Sequence, residues 1–174
     1  MTTALYIGRF QPFHKGHLKY LKKIMRENDF LKLIIGSSQE KNTFKNPFSV
    51  VERKKMILGC LKAEKIPLEK IEILTAADCP GDDKKWLDSI LKKAGKFDLV
   101  YAGENKIIYR IFMENGFKVD KIKRLMGIIG TKVRKLILQG KEWKHLVPES
   151  VYEYLKKIDG EERIKKAMNS RFSA

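Results

Sequence analysis

The sequence predicts a doubly wound α/β fold, with a parallel sheet of about five strands and helices on both of its faces. As far as Gly130, short apolar runs alternate with helical patterns, as expected for buried parallel strands and their crossover helices. After Gly130 only helical patterns remain, so a helical C-terminal extension is expected. A length of 174 residues suits a single domain. We expect its α/β core over residues 1–128 and the helical part over residues 129–174.

The predicted strands are short runs rich in aliphatic and aromatic residues. They cover Thr3–Ile7, Phe30–Ile35, Ile71–Thr75 and Phe97–Ala102, with Phe117–Ile122 as a weaker fifth. Runs of this length bounded by polar segments favour strands over helices. Because helical segments separate them, right-handed crossovers and a Rossmann-like parallel sheet follow.

Capping residues and glycines mark the helices between and after these strands. Ser49 opens a capping box, Asn105 is a second predicted cap, and Asp83 is predicted to cap the helix that Gly95 ends. The expected helices start near Lys15 and then cover Val50–Leu61, Lys84–Lys93, Lys106–Glu114, Thr131–Gln139, Pro148–Ile158 and the residues after Asp159-Gly160.

Charge is the strongest feature of the composition, with 37 lysines and arginines against 21 acidic residues and a formal net charge of +16. This surplus predicts an anionic partner, which could be a nucleic acid, an acidic membrane surface or a phosphorylated small molecule. A solvated lysine-rich surface would give the same count, so the positions of the charges must distinguish an anion-binding site from such a surface.

Other features of the composition narrow the class of protein. No apolar run approaches the roughly 18–20 residues that span a bilayer, and the N-terminus lacks the pattern of a secretion signal. Only two cysteines are present, Cys60 and Cys79, too few for a disulfide framework or a cysteine-based zinc site. We therefore expect a cytoplasmic protein without a membrane span.

The loop after the first predicted strand holds two of the chain's three histidines. It reads GRFQPFHKGH over residues 8–17 and leads into a helix. Ligands of doubly wound sheets bind at the carboxyl ends of the strands, and a helix N-terminus offers free N–H groups to a phosphate. His14 and His17 are three residues apart and face the same way. They can donate hydrogen bonds, while Arg9 adds a permanent charge and Gly8 and Gly16 leave space.

Two other interpretations of the histidine pair stay open. The pair could bind zinc, although the remaining histidine, His145, is remote in sequence and no cysteine cluster supplies a third ligand. It could also consist of ordinary surface or capping residues. Neither the GxGxxG fingerprint nor the GxxxxGK[ST] loop occurs.

The segment Gly8–His17 resembles the signature of archaeal-type nicotinamide-mononucleotide adenylyltransferases. Its HxGH core, His14 to His17, is similar to that of the wider nucleotidyltransferase superfamily. The resemblance extends along nearly the whole chain, through the segments GSSQ at 36–39, NPFS at 46–49, YAG at 101–103, IGTKVR at 129–134 and LVPESV at 146–151. It implies transfer of the adenylyl group of ATP to nicotinamide mononucleotide (NMN), which forms NAD and pyrophosphate in NAD biosynthesis.

The resemblance also implies roles for individual residues. Residues 130–134 are similar to the family's ISxTxxR motif, which holds the triphosphate of ATP; Thr131 and Arg134 keep their types, whereas Ile129 or Gly130 replaces the serine. We expect Thr131 at a helix cap, and His14, His17 and Arg134 as catalytic residues. The implied ATP-binding set is Gly8, Arg9, Phe10, Gln11, His14, Gly16, His17, Gly130, Thr131 and Arg134.

The acceptor side is implied by the same resemblance. The NMN-binding set is Ser37, Lys45, Asp78 and Trp86, with Trp86 stacking on nicotinamide. Core packing is the alternative for Trp86, because its helix has a buried face. Packing is expected for Trp143, and either local pairing or a phosphate contact for Arg53.

The implied partners are small nucleotides and further copies of the chain, as a homo-oligomer that in the family is often a hexamer. Magnesium is expected on the ATP phosphates, with no metal held by the protein itself. Nicotinate mononucleotide or FMN as acceptor stays an alternative. A basic nucleic-acid-binding protein is the alternative from another class, although no helix-turn-helix, RRM or KH signature is present.

Overall fold

Five parallel strands form the central sheet. The computed structural model describes residues 1–102, 105–120 and 127–169. The strands are β1 (Thr3–Gly8), β2 (Phe30–Ile35), β3 (Ile71–Thr75), β4 (Leu99–Tyr101) and β5 (Val119–Asp120). They lie in the order β3-β2-β1-β4-β5 and all pair in parallel. The predicted doubly wound α/β fold is therefore confirmed.

Helices connect the strands and follow the last of them. In the described residues they are α1 (Lys15–Glu27), α2 (Val50–Ala63), α3 (Asp83–Ala94), α4 (Lys106–Glu114), α5 (Gly130–Leu138), α6 (Glu149–Lys157) and α7 (Gly160–Asn169), with short 3-10 turns at Leu68–Lys70 and Lys144–Leu146. The capping box at Ser49 and the cap at Asn105 are confirmed.

Two of the predicted caps are wrong. Helix α3 is capped by Asp82, whose Oδ1 atom accepts the Lys85 N–H at 2.8 Å, so Asp83 is already helical. Helix α5 starts one residue earlier than expected, with Ile129 at the N-cap and no side-chain cap. Thr131 therefore lies inside the first turn, where its hydroxyl is available to other partners.

Two hydrophobic clusters cover the two faces of the sheet, because successive strand residues point to opposite sides. Tyr6 and Leu33 belong to the cluster that includes buried residues of α1, α2 and the C-terminal helices. Leu5 and Ile34 belong to the cluster under α3 and α4. Helices thus lie on both faces, and Trp143 packs in the first cluster as predicted.

The last two strands, β4 and the edge strand β5, are shorter than the sequence suggests. Strand β4 pairs with β1 from Leu99 to Tyr101, and the Asp98 N–H just before it donates to the Thr3 carbonyl at 2.8 Å. Asp98 at one end binds the N–H of Thr3 with its side chain, and Ala102 at the other accepts the N–H of Asn105. Strand β5 covers Val119–Asp120, and the rest of its predicted range, 121–122, lies outside the described residues.

The C-terminal helices pack on the sheet rather than standing apart from it. Val133, Val151 and Ile164 of α5, α6 and α7 are fully buried in the first cluster. Arg163 of α7 forms an ion pair with Glu52 of α2 and also donates to the Pro47 carbonyl at 3.2 Å. Over the described ranges, no helix is long and apolar enough to cross a membrane.

Candidate active site

A cavity of about 600 Å³ opens at the carboxyl ends of the strands. It lies where the chain order reverses between β1 and β4, the position at which doubly wound sheets bind ligands. Gly8 ends β1, Gly36 and Ser37 follow β2, and Ala102 follows β4; all four line the cavity. Residues at the first turn of α1, at the start of α5, and before and within α3 also line it.

The two histidines of the first loop line this cavity and cap each other's backbone. The Nδ1 atom of His14 accepts the His17 N–H at 3.3 Å, and the Nδ1 atom of His17 accepts the His14 N–H at 3.2 Å. Their rings stack with centroids 3.5 Å apart and planes 18° apart. The prediction that both side chains face the same way is confirmed.

This arrangement fixes the protonation of both rings. A nitrogen that accepts a backbone N–H carries no proton, so each neutral imidazole holds its proton on Nε2. Burial lowers the pKa of His14 to about 4. Burial, together with His14, lowers the pKa of His17 well below its ordinary value. At neutral pH the pair therefore offers two uncharged Nε2–H donors at the N-terminus of α1.

Gly16 makes the stacking possible. A Cβ atom at this position would lie 3.0 Å from Nδ1 of His14 and 3.3 Å from the Ile128 carbonyl oxygen. Both distances are tighter than ordinary van der Waals contacts, so any larger residue would push the first imidazole or the start of the α5 segment outward. The expectation that Gly16 leaves space at the pair is confirmed by this geometry.

Phe10 and Gln11 turn away from the cavity, unlike their neighbour Arg9, which is exposed and lines it. The Phe10 ring is 1% exposed and packs edge-on against His17. The Gln11 amide exchanges hydrogen bonds of 2.8 and 3.0 Å with the backbone of Phe48. Their side chains thus shape the loop from behind, and any contact of Gln11 with ATP through its side chain would require these bonds to break.

The second predicted phosphate segment meets the first loop directly. Gly130 lines the cavity, and a Cβ atom there would lie 2.8 Å from the Gln11 carbonyl oxygen. Arg134 is 4% exposed; it donates to that same carbonyl at 2.6 Å and to the Thr131 hydroxyl at 3.2 Å. The guanidinium also lies over the Phe44 ring, 5.2 Å from its centroid.

Arg134 stays charged in this position. Burial, and to a smaller extent Arg9, lowers its pKa to about 10, which still leaves the guanidinium protonated at neutral pH. Among the described residues, its buried Nε atom has no hydrogen-bond partner. The structure thus brings Gly130, Thr131 and Arg134 against the histidine loop, with Arg134 directly behind the cavity wall.

Three of the four predicted acceptor residues lie at the cavity. Ser37, Asp78 and Trp86 all line it. Trp86 also contacts Phe112 edge-to-face, with ring centroids 6.1 Å apart. It therefore lines the cavity and also packs against a neighbouring side chain. Lys45 does not line the cavity; it is exposed, and its neighbour Phe44 packs on Arg134 of the phosphate segment.

Arg53 is a residue whose position the sequence analysis left undecided. It is fully buried in α2 and donates to the carbonyls of Arg9 at 2.9 Å, Gly36 at 2.7 Å and Ser37 at 2.9 Å. The sequence carried one signal for this burial, since Arg53, Ile57 and Cys60 share one face of the helix at spacings of four and three residues.

A family model described as cytidylyltransferase-like matches residues 5–156 of the chain. The chain belongs to this family. It is therefore a nucleotidyltransferase by descent, and the resemblance read from residues 8–17 is confirmed.

Individual relatives place it within the family. A nicotinamide-nucleotide adenylyltransferase of Methanococcus aeolicus is 38% identical over 94% of this chain and 93% of its own length. A protein of the same name from Saccharolobus solfataricus is 36% identical over 98% of this chain and 99% of its own. The chain thus matches these archaeal nucleotidyltransferases from end to end.

A solved structure shares the fold. It is a bifunctional NMN adenylyltransferase/ADP ribose pyrophosphatase from Francisella tularensis complexed with AMP and a manganese ion, with a TM-score of 0.80 and 24% identity. The match covers 98% of this chain but 53% of that protein, so the nucleotidyltransferase described here corresponds to about half of the bifunctional chain.

Proposed function

We propose that this chain transfers the adenylyl group of ATP to NMN, forming NAD and pyrophosphate. The observation that carries the proposal is the pair of neutral histidines, whose Nε2–H donors meet the N-terminus of α1 at a nucleotide-sized cavity. Membership in the nucleotidyltransferase family supports the reaction class, and the names of the archaeal relatives support the acceptor.

The reaction needs charge stabilisation more than proton transfer. An oxygen of the acceptor phosphate, already ionised at neutral pH, attacks the α-phosphorus of ATP, and the bond from that phosphorus to the oxygen bridging to the β-phosphorus breaks. Pyrophosphate leaves with the electron pair, so no general base is required. Two uncharged histidines are suited to this chemistry as hydrogen-bond donors that need not change protonation state.

The charges around the cavity are arranged for a triphosphate. Arg9 is exposed at the cavity and Arg134 lies directly behind its wall, so a bound anion is attracted from both. The N-termini of α1 and α5 add free N–H groups and the positive ends of two helix dipoles. We assign His14, His17 and Arg134 as the catalytic residues, and the cavity-lining parts of residues 8–17 and 130–134 as the ATP site.

The acceptor would lie toward α3. Trp86 offers an indole for a planar ring, and Ser37 and Asp78 supply polar atoms on the same side. In this arrangement the acceptor phosphate points back to the histidine loop, where the α-phosphorus must be. Lys45 is exposed beside Phe44, so we place its charge nearer the triphosphate than the pyridine ring.

Magnesium fits this site as part of the ATP complex. Within the described ranges, no group of three or more His, Cys, Asp or Glu side chains is placed to hold a metal ion. A hard cation would therefore be held by phosphate oxygens and water, where it would neutralise charge on the leaving pyrophosphate. His14, His17 and the arginines would bind and orient the remaining phosphate oxygens. A cytoplasmic location and assembly into a homo-oligomer stay predictions.

The test is a pyrophosphate-release assay with ATP and a panel of acceptors, namely NMN, nicotinate mononucleotide, FMN and phosphopantetheine. We expect release with NMN. Release with FMN or phosphopantetheine and with neither pyridine nucleotide would overturn the acceptor assignment. No release with any acceptor, together with tight salt-sensitive binding of DNA or RNA, would favour the nucleic-acid-binding alternative.

A further inference from the structure

The Arg53 guanidinium joins two adjacent loops of the cavity, those that follow the paired strands β1 and β2. Its NH1 group donates to the Arg9 carbonyl in the loop after β1 and to the Gly36 carbonyl in the loop after β2, and its NH2 group donates to the Ser37 carbonyl. Its Nε atom donates to the Ser49 carbonyl at 3.3 Å, which anchors the side chain to its own helix. One side chain thus fixes backbone atoms from both loops relative to α2.

This cation is balanced by carbonyl dipoles rather than by an ion pair. Arg53 is fully buried, and all four of its hydrogen-bond acceptors in the described structure are backbone carbonyls. Burial lowers its pKa to about 10, an effect that Asp78 opposes and Arg9 reinforces. The guanidinium therefore remains charged at neutral pH and places a positive charge behind both loops, compensated by carbonyl dipoles.

Both loops contain a residue in a backbone conformation that needs external support. Phe10, directly after the Arg9 carbonyl, has a φ of 54°, and Ser37 has a φ of 48°. Residues other than glycine rarely adopt this left-handed region unless their surroundings hold them there. The bonds from Arg53 end on the carbonyl of Ser37 itself and on the carbonyl immediately before Phe10, so they act where support is required.

We propose that Arg53 is a positioning residue for the transfer reaction, holding the ATP-side loop and the acceptor-side loop at a fixed separation. This inference rests on the proposed function, because it concerns the alignment of the acceptor phosphate with the α-phosphorus of ATP. Reactions of this kind depend steeply on alignment, and misplacement by about 1 Å can cost about 100-fold in rate. Arg53 acts through the backbone of Arg9, Gly36 and Ser37 without touching either substrate.

Two substitutions separate its geometry from its charge. Arg53→Lys keeps a positive charge but replaces the planar fork with a single ammonium group, which cannot reach all three loop carbonyls. We expect kcat to fall about 10- to 100-fold, with the KM values for ATP and NMN within about threefold of wild type. Arg53→Met removes the charge as well, so we expect a similar fall in kcat and, in addition, weaker ATP binding.

A matched control comes from the other arginine that holds a loop to a helix. Arg163 donates to the Pro47 carbonyl and pairs with Glu52 but does not line the cavity. We expect Arg163→Lys to lower Tm while kcat stays within about threefold of wild type. If Arg53→Lys behaves in the same way, with lower Tm and nearly unchanged kcat, Arg53 is only part of the scaffold and the proposal is overturned.

Hydrogen–deuterium exchange of the wild-type protein decides the question if the Arg53 variants do not fold. We expect ATP alone, without acceptor, to slow amide exchange in peptides covering both residues 8–13 and residues 36–40, because the guanidinium couples the two loops. Protection of the first peptide alone would contradict the proposal. This measurement also separates the two inferences, since it needs ATP binding but no turnover, whereas absence of NAD formation by wild-type protein would count against the proposed function.

Discussion

His14 and His17 form a reciprocal cap in which the Nδ1 atom of each ring accepts the peptide N–H of the other residue. The same three-residue spacing thus starts α1 and, within the part of the chain that the structure describes, leaves both Nε2–H groups available to a ligand. In each ring the Nδ1 atom forms the helix cap, and the Nε2 atom is the one assigned to the ligand. Substitutions that replace one nitrogen at a time can therefore test each role separately.

The catalytic role of His17 is tested by two amide substitutions. In His17→Asn the side-chain oxygen lies near the position of Nδ1, so the cap is kept while the Nε2–H donor is lost. We expect kcat to fall by about 10²–10³, as for loss of one oxyanion donor, with little change in Tm. His17→Gln should do the reverse, with a lower Tm and a smaller loss of turnover. Steady-state kinetics and thermal unfolding measure both; turnover of His17→Asn within threefold of wild type would contradict the assignment.

The pH dependence of stability follows from the lowered pKa of His14. Below pH 6.5 the unfolded chain takes up a proton at this residue, whereas the folded chain does so only near pH 4. The stabilising contribution is therefore fully present above pH 6.5 and is lost as the pH falls toward 4, by about 3 kcal/mol in the free energy of unfolding. The lowered pKa of His17 likewise makes the free energy of unfolding decrease as the pH falls.

Denaturant titrations between pH 7 and pH 4 measure this effect. His14→Asn is the matched control, because it retains a capping acceptor and cannot titrate in this range. We expect the stability of wild type relative to this variant to decrease over that interval. Parallel curves for the two proteins would show that His14 is not held neutral by the fold.

The contact between the two phosphate segments is tested at Gly130. In Gly130→Ala the new Cβ would lie 2.8 Å from the Gln11 carbonyl oxygen and 3.3 Å from NH1 of Arg134, so α5 or the first loop must shift and the contact between Arg134 and that oxygen is disturbed. We expect the KM for ATP to rise about tenfold, equivalent to about 1.4 kcal/mol. The control is Gly59→Ala, at an exposed position of α2 with open space around it.

Gly59→Ala should stabilise the protein by up to about 1 kcal/mol through helix propensity and leave the kinetics unchanged. The KM for ATP is measured for both variants and for wild type at saturating NMN. An unchanged KM for ATP in Gly130→Ala would mean that the close approach of α5 to the first loop does not contribute to ATP binding.

The acceptor side is tested at Trp86. If the indole stacks on the pyridine ring, Trp86→Ala should raise the KM for NMN about tenfold or more, since stacking of a base on an aromatic ring contributes about 1–3 kcal/mol. The KM for ATP should stay within twofold. Trp86→Phe keeps a ring against Phe112 and should restore most of the affinity. Equal increases in both KM values would instead indicate that Trp86 only packs in the protein.

The features that the sequence predicted correctly are those that depend on residues close together in the chain. The loop of residues 8–17, the ranges of β2 and β3 and the capping box at Ser49 follow from neighbouring residues, and the structure confirms them. The exact caps of α3 and α5 were wrong, because Asp82 and Asp83 have equal capping ability and α5 begins without a side-chain cap at all.

The role of Arg53 could not be predicted for a different reason. Its loop partners are carbonyls of Arg9, Gly36 and Ser37, from 16 to 44 residues away, and backbone carbonyls leave no trace in the amino-acid sequence. For Arg134 the sequence predicted a role but not its shortest contact, the Gln11 carbonyl 123 residues away. The motifs predicted candidate ligand-binding residues, whereas the contacts that hold the loops became visible only in three dimensions.

The most direct test of the account is the stoichiometry of NAD and pyrophosphate formed from ATP, magnesium and NMN by the purified protein, measured side by side with His17→Asn. The account predicts one NAD for each pyrophosphate in wild type, and a rate lower by about 10²–10³ in the variant. Pyrophosphate or phosphate release without NAD, or equal rates of NAD formation by the two proteins, would contradict it.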